Sequence, residues 1–241
     1  MLTLFRKIRK QWLDTGATRK YILYAVGEIA LVVIGILIAL QINNWNEWRQ
    51  DRVKEKVILQ NVKENLEINI EILQSSFEVV DNLDRSASIV QSFFQGDIPY
   101  NDSLDRHFYL AVLMGVMQGN LTHDGYETFK NAGFELMRSE SLKKKIVRLF
   151  EVNYGRLDEW RGNQRSLHQS FMTMRTNEFV QYEGGLKPQD IASISSNKDV
   201  QSSYNTISVL RNILTNYLKS AHDETNEVLQ LVIKELEGFD Q

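Results

Sequence analysis

The chain contains no cysteine, so no disulfide, thiol nucleophile or zinc-thiolate site can be built from it. Any part of it outside the cytoplasm must be held by packing alone, which a segment of about 200 residues has enough buried surface to do. Two prolines in 241 residues are too few to interrupt long helices. Histidine is scarce as well: His107, His123, His168 and His222 stand alone, without the short spacings by which a helix presents a metal site. The glycine-rich phosphate and dinucleotide patterns are absent, as are the G-x-S-x-G elbow and the H-E-x-x-H helix. Carboxylates are numerous, but no pair stands out as an acid/base couple. No enzymatic activity, cofactor or metal is therefore expected. A net charge of -3, with acids and bases interspersed, gives no reason to expect a nucleic-acid partner.

What is present is one long apolar run, Tyr21 to Ile42, YILYAVGEIALVVIGILIALQI. At about 1.5 Å per residue it makes a helix of roughly 33 Å, matching a hydrocarbon core of about 30 Å. Glu28 is its one charge. An ionised side chain near the bilayer centre costs roughly 2.5–3.5 kcal/mol, while the Leu, Ile and Val residues return about 0.3–0.6 each, on the order of 4–8 together. Insertion wins. Before the run, Arg6, Lys7, Arg9, Lys10, Arg19 and Lys20 are opposed only by Asp14, whereas charges of both signs follow it. The positive-inside rule then places the N-terminus in the cytoplasm and the C-terminal part across the membrane. A cleaved signal would be shorter and end in a small-x-small site; this run exits through Gln41-Ile42-Asn43-Asn44-Trp45, so an uncleaved anchor is expected.

The expected organisation is a basic, amphipathic cytoplasmic segment over 1–18, a transmembrane helix over 19–43 and a helical domain over 44–241. Leu4, Phe5, Ile8 and Trp12 share one helical face, suited to an anionic leaflet. Trp12, Arg19 and Lys20 are expected anchors at the cytoplasmic interface, Trp45 and Trp48 at the outer one. Within the span, Gly35 and Ala39 form a small-xxx-small pair, with Gly27 nearer the cytoplasmic end, and small residues let membrane helices approach closely. Glu28 has two readings. One is a ring of carboxyls around an ion path in a homo-oligomer; the simpler one is a protonated or snorkelling side chain bonded to a neighbouring helix. Both give the helix company, so the expected partners are the lipid bilayer and either further copies of the chain or another membrane or periplasmic protein.

The stretch Lys20-Tyr21-Ile22-Leu23-Tyr24-Ala25-Val26-Gly27-Glu28-Ile29, followed by Val32 to Glu47 (VVIGILIALQINNWNE), resembles the signature of a family of uncharacterised single-pass membrane proteins abundant in Bacteroidota. A looser likeness is Gly125-Tyr126-Glu127-Thr128-Phe129-Lys130-Asn131-Ala132-Gly133, similar to that family's Thr-Tyr-Glu-x-Leu-Lys-x-x-Gly segment with Gly125 and Phe129 as departures. The resemblance implies a Gram-negative inner-membrane setting and a periplasmic helical domain, and carries no catalytic residues. Asp102-Ser103-Leu104 also resembles the O-glycosylation sequon that Bacteroidota use on exported proteins, which makes Ser103 a candidate modification site.

Beyond Trp48 the pattern is helical. Leu59, Val62, Leu66, Ile70, Leu73, Phe77, Val80, Leu83, Ala87, Val90 and Phe94 recur at threes and fours until Gly96-Asp97-Ile98-Pro99, giving one long helix. Asn101-Asp102-Ser103 is placed to cap a shorter helix through Val116. The irregular stretch 118–133 holds a polar cluster, Thr122, His123, Asp124 and Tyr126, which is either a binding site or the capping turn of a short helix from Tyr126 to Asn131. A third long helix is expected from Ser139 to Met174, with Asn153 and Gln164 at seam positions and Lys143, Lys144 and Lys145 solvated. Glu183 to Asn197, containing Pro188 and serines, is expected as a mobile connector, and a last helix as running from about Asp199 to Gly238 with Tyr217 on its seam. The fold class expected is all-α: a single transmembrane helix followed by a long-helix antiparallel bundle of coiled-coil-like packing. The function expected is non-enzymatic, a membrane-anchored bundle for protein–protein interaction, with a homo-oligomeric pore around Glu28 as the alternative.

Overall fold

The computed structural model describes residues 17–113, 119–160, 171 and 177–239, and of residues 17–21 and 24 the backbone alone. The chain divides into two compact units, the second beginning at Glu55. The described part of the first unit is helix. It is the opening of α1, Ala17–Gln95, 79 residues long by its backbone. The stretch meets no proline, and its two glycines are separated by good helix formers. From Ile22 onward nearly every side chain is exposed, with Leu31 at 73% and Ile29 at 65%. A soluble helix buries its leucines; this stretch is apolar and exposed all round, and is long and apolar enough to cross a membrane.

The second unit is cored by the remainder of α1 and by α6 (Lys198–Glu237). Leu59, Val62, Leu66, Leu73, Val80, Leu83 and Val90 are buried at the spacing of the seam. α1 stops where Gly96 takes φ +82, a conformation that suits glycine, and the amides of Gly96 and Asp97 return to the carbonyls of Phe93 and Ser92. α2 (Leu104–Ala111), α3 (Asp124–Ala132) and α4 (Glu140–Arg148) follow. α4 runs on through a π-helical turn, Leu149–Tyr154, into further α-helix over 155–160. α5 is Ile191–Ser196, capped by Asp190, and α6 is capped by Asn197, whose Oδ1 accepts from the amides of Asp199 and Val200 at 3.1 and 3.2 Å. All-α is the class observed.

Several expectations are corrected. The segment expected as a mobile connector forms a two-stranded antiparallel hairpin, β1 (Phe179–Tyr182) and β2 (Gly185–Pro188), and then α5. Gly184 at φ +76 makes the turn, and Phe179 and Leu186 are buried beneath it. The expected seam of the third helix is buried at Leu142, Ile146, Leu149, Asn153 and Leu157, but a π-helical turn interrupts it and buries Phe150 and Tyr154 as well; Gln164, His168 and Met174 lie outside the described residues. α2 ends at Ala111 with Val112 as its C-cap, short of the expected Val116, and Ser103 makes no side-chain cap; Asn101 Oδ1 accepts from the Ser103 amide instead. On α6 the expected seam residue Tyr217 is exposed, and Leu218 is buried in its place. Lys143 is not fully solvated: only 18% of its side chain is exposed, and its Nζ donates to the Phe134 carbonyl.

Candidate functional site

Two places carry the residues singled out by sequence. The first is the apolar part of α1. At 3.6 residues per turn Glu28, Gly35 and Ala39 fall within an arc of about 40°, while Gly27 lies about 100° away. All four are exposed, and a Cβ added at Gly27 or Gly35 would meet nothing within 4 Å. The pair of small residues and the one carboxylate thus share a face, and Gly27 does not belong to it. Trp45 and Trp48, 60% and 46% exposed, follow the run and suit the depth at which indole rings sit. Arg19 and Lys20 lie within the first turns of α1, and Trp12 lies outside the described residues.

The second place is the polar cluster before α3. The structure resolves its two readings in favour of packing. Thr122 is held on α1 by Asn69, whose Oδ1 accepts from the Thr122 amide at 2.7 Å and whose Nδ2 donates to the Thr122 carbonyl at 3.0 Å. One turn earlier Asn65 Oδ1 accepts from the Gly125 amide at 2.5 Å. Gly125 is there because nothing larger fits: a Cβ would lie 2.6 Å from the Asn61 carbonyl carbon and 2.9 Å from Asn65 Oδ1. The polar residues of α1 therefore replace a helix cap, for His123 at the N-cap position makes no side-chain cap bond. Glu55 of α1 likewise reaches a backbone amide, accepting from Arg138 at 2.9 Å just before α4, which is capped by its own Ser139.

On the outer side of α3 a second polar group forms. Tyr126 stacks on Phe150 of the π-helical turn, ring centroids 4.6 Å apart and nearly parallel, and its hydroxyl donates to Glu151 Oε1 at 2.8 Å. Lys130 Nζ reaches the same oxygen at 3.2 Å. Burial and the adjacent Glu151 raise the Tyr126 phenol above its ordinary range, while the Tyr126 hydroxyl and Lys130 hold the Glu151 carboxyl below its own. His123 packs edge-on to Phe150 and Tyr154 and lies 3.7 Å from Asp158 Oδ2. The arrangement fixes a tyrosinate-resistant phenol and an ionised carboxylate against each other. Tyr126 and Lys130 share one oxygen of Glu151, and these bonds tie α3 to the π-helical turn that continues α4, while Lys130 and Glu151 stay about half exposed.

The remaining singled-out residues are scattered. Ser103 is exposed in the turn before α2, its hydroxyl bonded to Asn101. His107 Nδ1 faces Ser86 Oγ at 3.2 Å, and His222 packs edge-on to Phe77. Asn153 is buried at its seam position and donates to Glu224 of α6, which ties the π-helical turn to that helix. Among the described residues no three of His, Asp and Glu gather as metal ligands would. One open depression of about 440 Å³ lies along α6 between Lys198 and Leu210.

Sequence reasoning missed Arg211, Glu55 and the Asn65–Asn69 pair, all buried. The asparagines were legible in principle, being four apart beside the apolar seam of α1. Arg211 sits where the seam of α6 calls for an apolar residue between Ile207 and Leu214, and that misfit was its signal. No curated protein and no solved structure matches the chain. Residues 28–87, which form one stretch of α1, match the profile of a family described as a family of unknown function (DUF6090).

Proposed function

We propose that the protein is a non-enzymatic, single-pass membrane protein whose α1 face, together with the helical unit from Glu55 onward, mediates protein–protein interaction. It acts as a homo-oligomer or as an accessory subunit of a membrane complex. The supporting observation is the coincidence of Glu28, Gly35 and Ala39 on one face of an otherwise lipid-suited helix. A carboxyl at that depth is costly against lipid and inexpensive against another helix, where a hydrogen bond is available and the small residues allow close approach. The flanking charges favour an N-terminus in the cytoplasm, and the resemblance to a Bacteroidota membrane family favours an inner-membrane setting with the bundle in the periplasm.

The test is the mass of the full chain in a nanodisc, with identification of what co-purifies, for the native chain and for Glu28→Gln and Gly35→Leu. One or two copies bound to another membrane protein, lost on Gly35→Leu, support the accessory subunit. A closed ring of four or more copies whose ion leak changes on Glu28→Gln replaces it with a pore. A lone monomer with no partner in either preparation overturns both. Topology is read separately. The chain lacks cysteine, so Ser103→Cys gives a single thiol at an exposed position. It should react with an impermeant maleimide once the outer membrane is permeabilised, and protection there would refute the orientation.

A further inference from the structure

The helical unit has two hydrophobic cores rather than one. The first joins Leu59, Leu66 and Leu73 of α1 to Ile146 and Leu149 and to Leu214, Leu218 and Val228 of α6. The second joins Val90 and Phe93 of α1 to Phe108 of α2, Phe179 and Leu186 of the hairpin and Tyr204 and Ile207 of α6. Trp160 is packed against both. Between them lies a polar layer. Arg211 is fully buried; its Nε donates to Asp84 Oδ1 of α1 at 2.6 Å, and its Nη1 to the carbonyls of Ala111 and Leu113 at 3.2 and 2.6 Å. Its Nη2 is buried without a hydrogen-bond partner among the described residues. Buried Ser86 faces His107 in the same layer, and Asp84 is 47% exposed.

We propose that this layer is a latch, and that the second core opens as a unit while the first stays closed. Separating two apolar surfaces returns nothing, whereas separating the bundle at Arg211 rehydrates a buried guanidinium, including the nitrogen that has no partner inside. Parting at this layer is therefore offset in part by hydration of Arg211, an offset that parting through purely apolar contacts lacks. Water reaches it from the exposed side of Asp84. Opening releases α2, the hairpin and the first turns of α6 together, because each is held by the one aromatic cluster of Phe93, Phe108, Phe179 and Tyr204, whose rings lie 5.3–6.4 Å apart. The latch closes because hydrogen bonds to a charged group outweigh neutral ones. Arg211 also donates to the carbonyl of Ala111, at the end of α2, and to that of Leu113 beyond it.

Hydrogen exchange on the full chain in nanodiscs, read by mass spectrometry, tests this without a variant. Amides over 104–111, 179–188 and 198–207 should exchange as one class, about tenfold or more faster than amides over 59–73, 142–149 and 221–232. Asp84→Asn keeps the shape and removes the carboxylate charge facing Arg211, and should speed the first class alone by several-fold. Asp81→Asn, which faces Arg85 in solvent one turn away, should change neither. A single exchange class in the native chain overturns the proposal. So does equal acceleration of both classes by Asp84→Asn, which would make the pair a plain contributor to global stability. Asp84→Glu should restore the native ratio of the two rates, and its failure to do so would remove the pair from the mechanism even if the two classes exist.

Discussion

Replacing Gly125 by alanine tests the docking of α3 on α1 with one methyl group. Alanine is normally the better helix former by roughly 0.8–1 kcal/mol, so propensity alone predicts stabilisation. The structure predicts the reverse. The new Cβ would stand 2.6 Å from the Asn61 carbonyl carbon and 2.9 Å from Asn65 Oδ1, and the first of these is backbone in the middle of a long helix that cannot step aside. Overpacking of this kind costs about 1–3 kcal/mol. The displacement also lengthens the Gly125 amide bond to Asn65, worth about 0.5–1.5 kcal/mol net and more if the buried carbonyl oxygen is left bare. Subtracting the propensity gain leaves a net loss of about 1–3 kcal/mol. At roughly 2–4 °C per kcal/mol for a unit of this size, the melting temperature should fall by about 3–10 °C. Circular dichroism melts of the full chain in one detergent are the assay, with Gly35→Ala as the control, since a Cβ there meets nothing. A Gly125→Ala chain that melts within 1 °C of the native one, or above it, would show that the close approach is not a constraint and refute the argument.

Other expectations follow from the same contacts. Leu73→Ala removes a fully buried side chain from the first core and should cost about 2–5 kcal/mol in urea unfolding, unless the site collapses. Tyr154→Phe removes a hydroxyl bonded to Thr225 at 2.8 Å and should cost about 0.5–1.5 kcal/mol. Burial pushes the Tyr154 phenol up to about 12 from its ordinary 10.0. The folded state therefore binds this proton more tightly than the unfolded one, so its share of stability is whole below pH 10 and is lost as pH rises toward 12; Tyr154→Phe should flatten that part of an alkaline melt series. The Glu151 carboxyl, held down by Tyr126 and Lys130, works in the opposite direction: its contribution is present above the ordinary 4.5 and fades as pH falls below it. Glu151→Gln should remove that acid limb, as followed by Tyr126 ring shifts in nuclear magnetic resonance.

How far the sequence carried can be seen by comparing α1 with the hairpin. α1 was legible from Leu59 to Gly96 because its signal is repeated over many turns and ends at a glycine that takes a left-handed φ. The hairpin was not, because four residues on each side of a turn are too short to show alternation, and the serines after Pro188 read as a loop although Asp190 caps them into α5. The π-helical turn was illegible for a different reason: it inserts a single residue without moving the seam off Leu149 and Asn153, and buries Phe150 and Tyr154 beside them. Thr122 and Tyr126 were noticed as polar residues in an irregular stretch, but their partners, Asn69 and Glu151, lie 53 and 25 positions away, and one sequence contains no record of that pairing.

The stretch that matches a known family is a single run of one helix, and that bears on where function can reside. Residues 28–87 include the face of Glu28, Gly35 and Ala39, the asparagines that grip Thr122 and Gly125, and Asp84 and Ser86 of the polar layer. Leu59, Leu66 and Leu73, buried in the same stretch, are covered by parts of the chain that lie outside it. Such a helix has no core of its own: it leaves one set of groups exposed, the face of Glu28, Gly35 and Ala39, and has another covered by the elements that fold against it. Substitutions should then divide by face. Asn65→Ala and Asn69→Ala should lower stability and leave the mass of the membrane assembly unchanged, while Gly35→Leu should alter the assembly and leave the melting of the helical unit unchanged. Crossed effects, with both classes shifting both readouts, would refute a division of labour along α1.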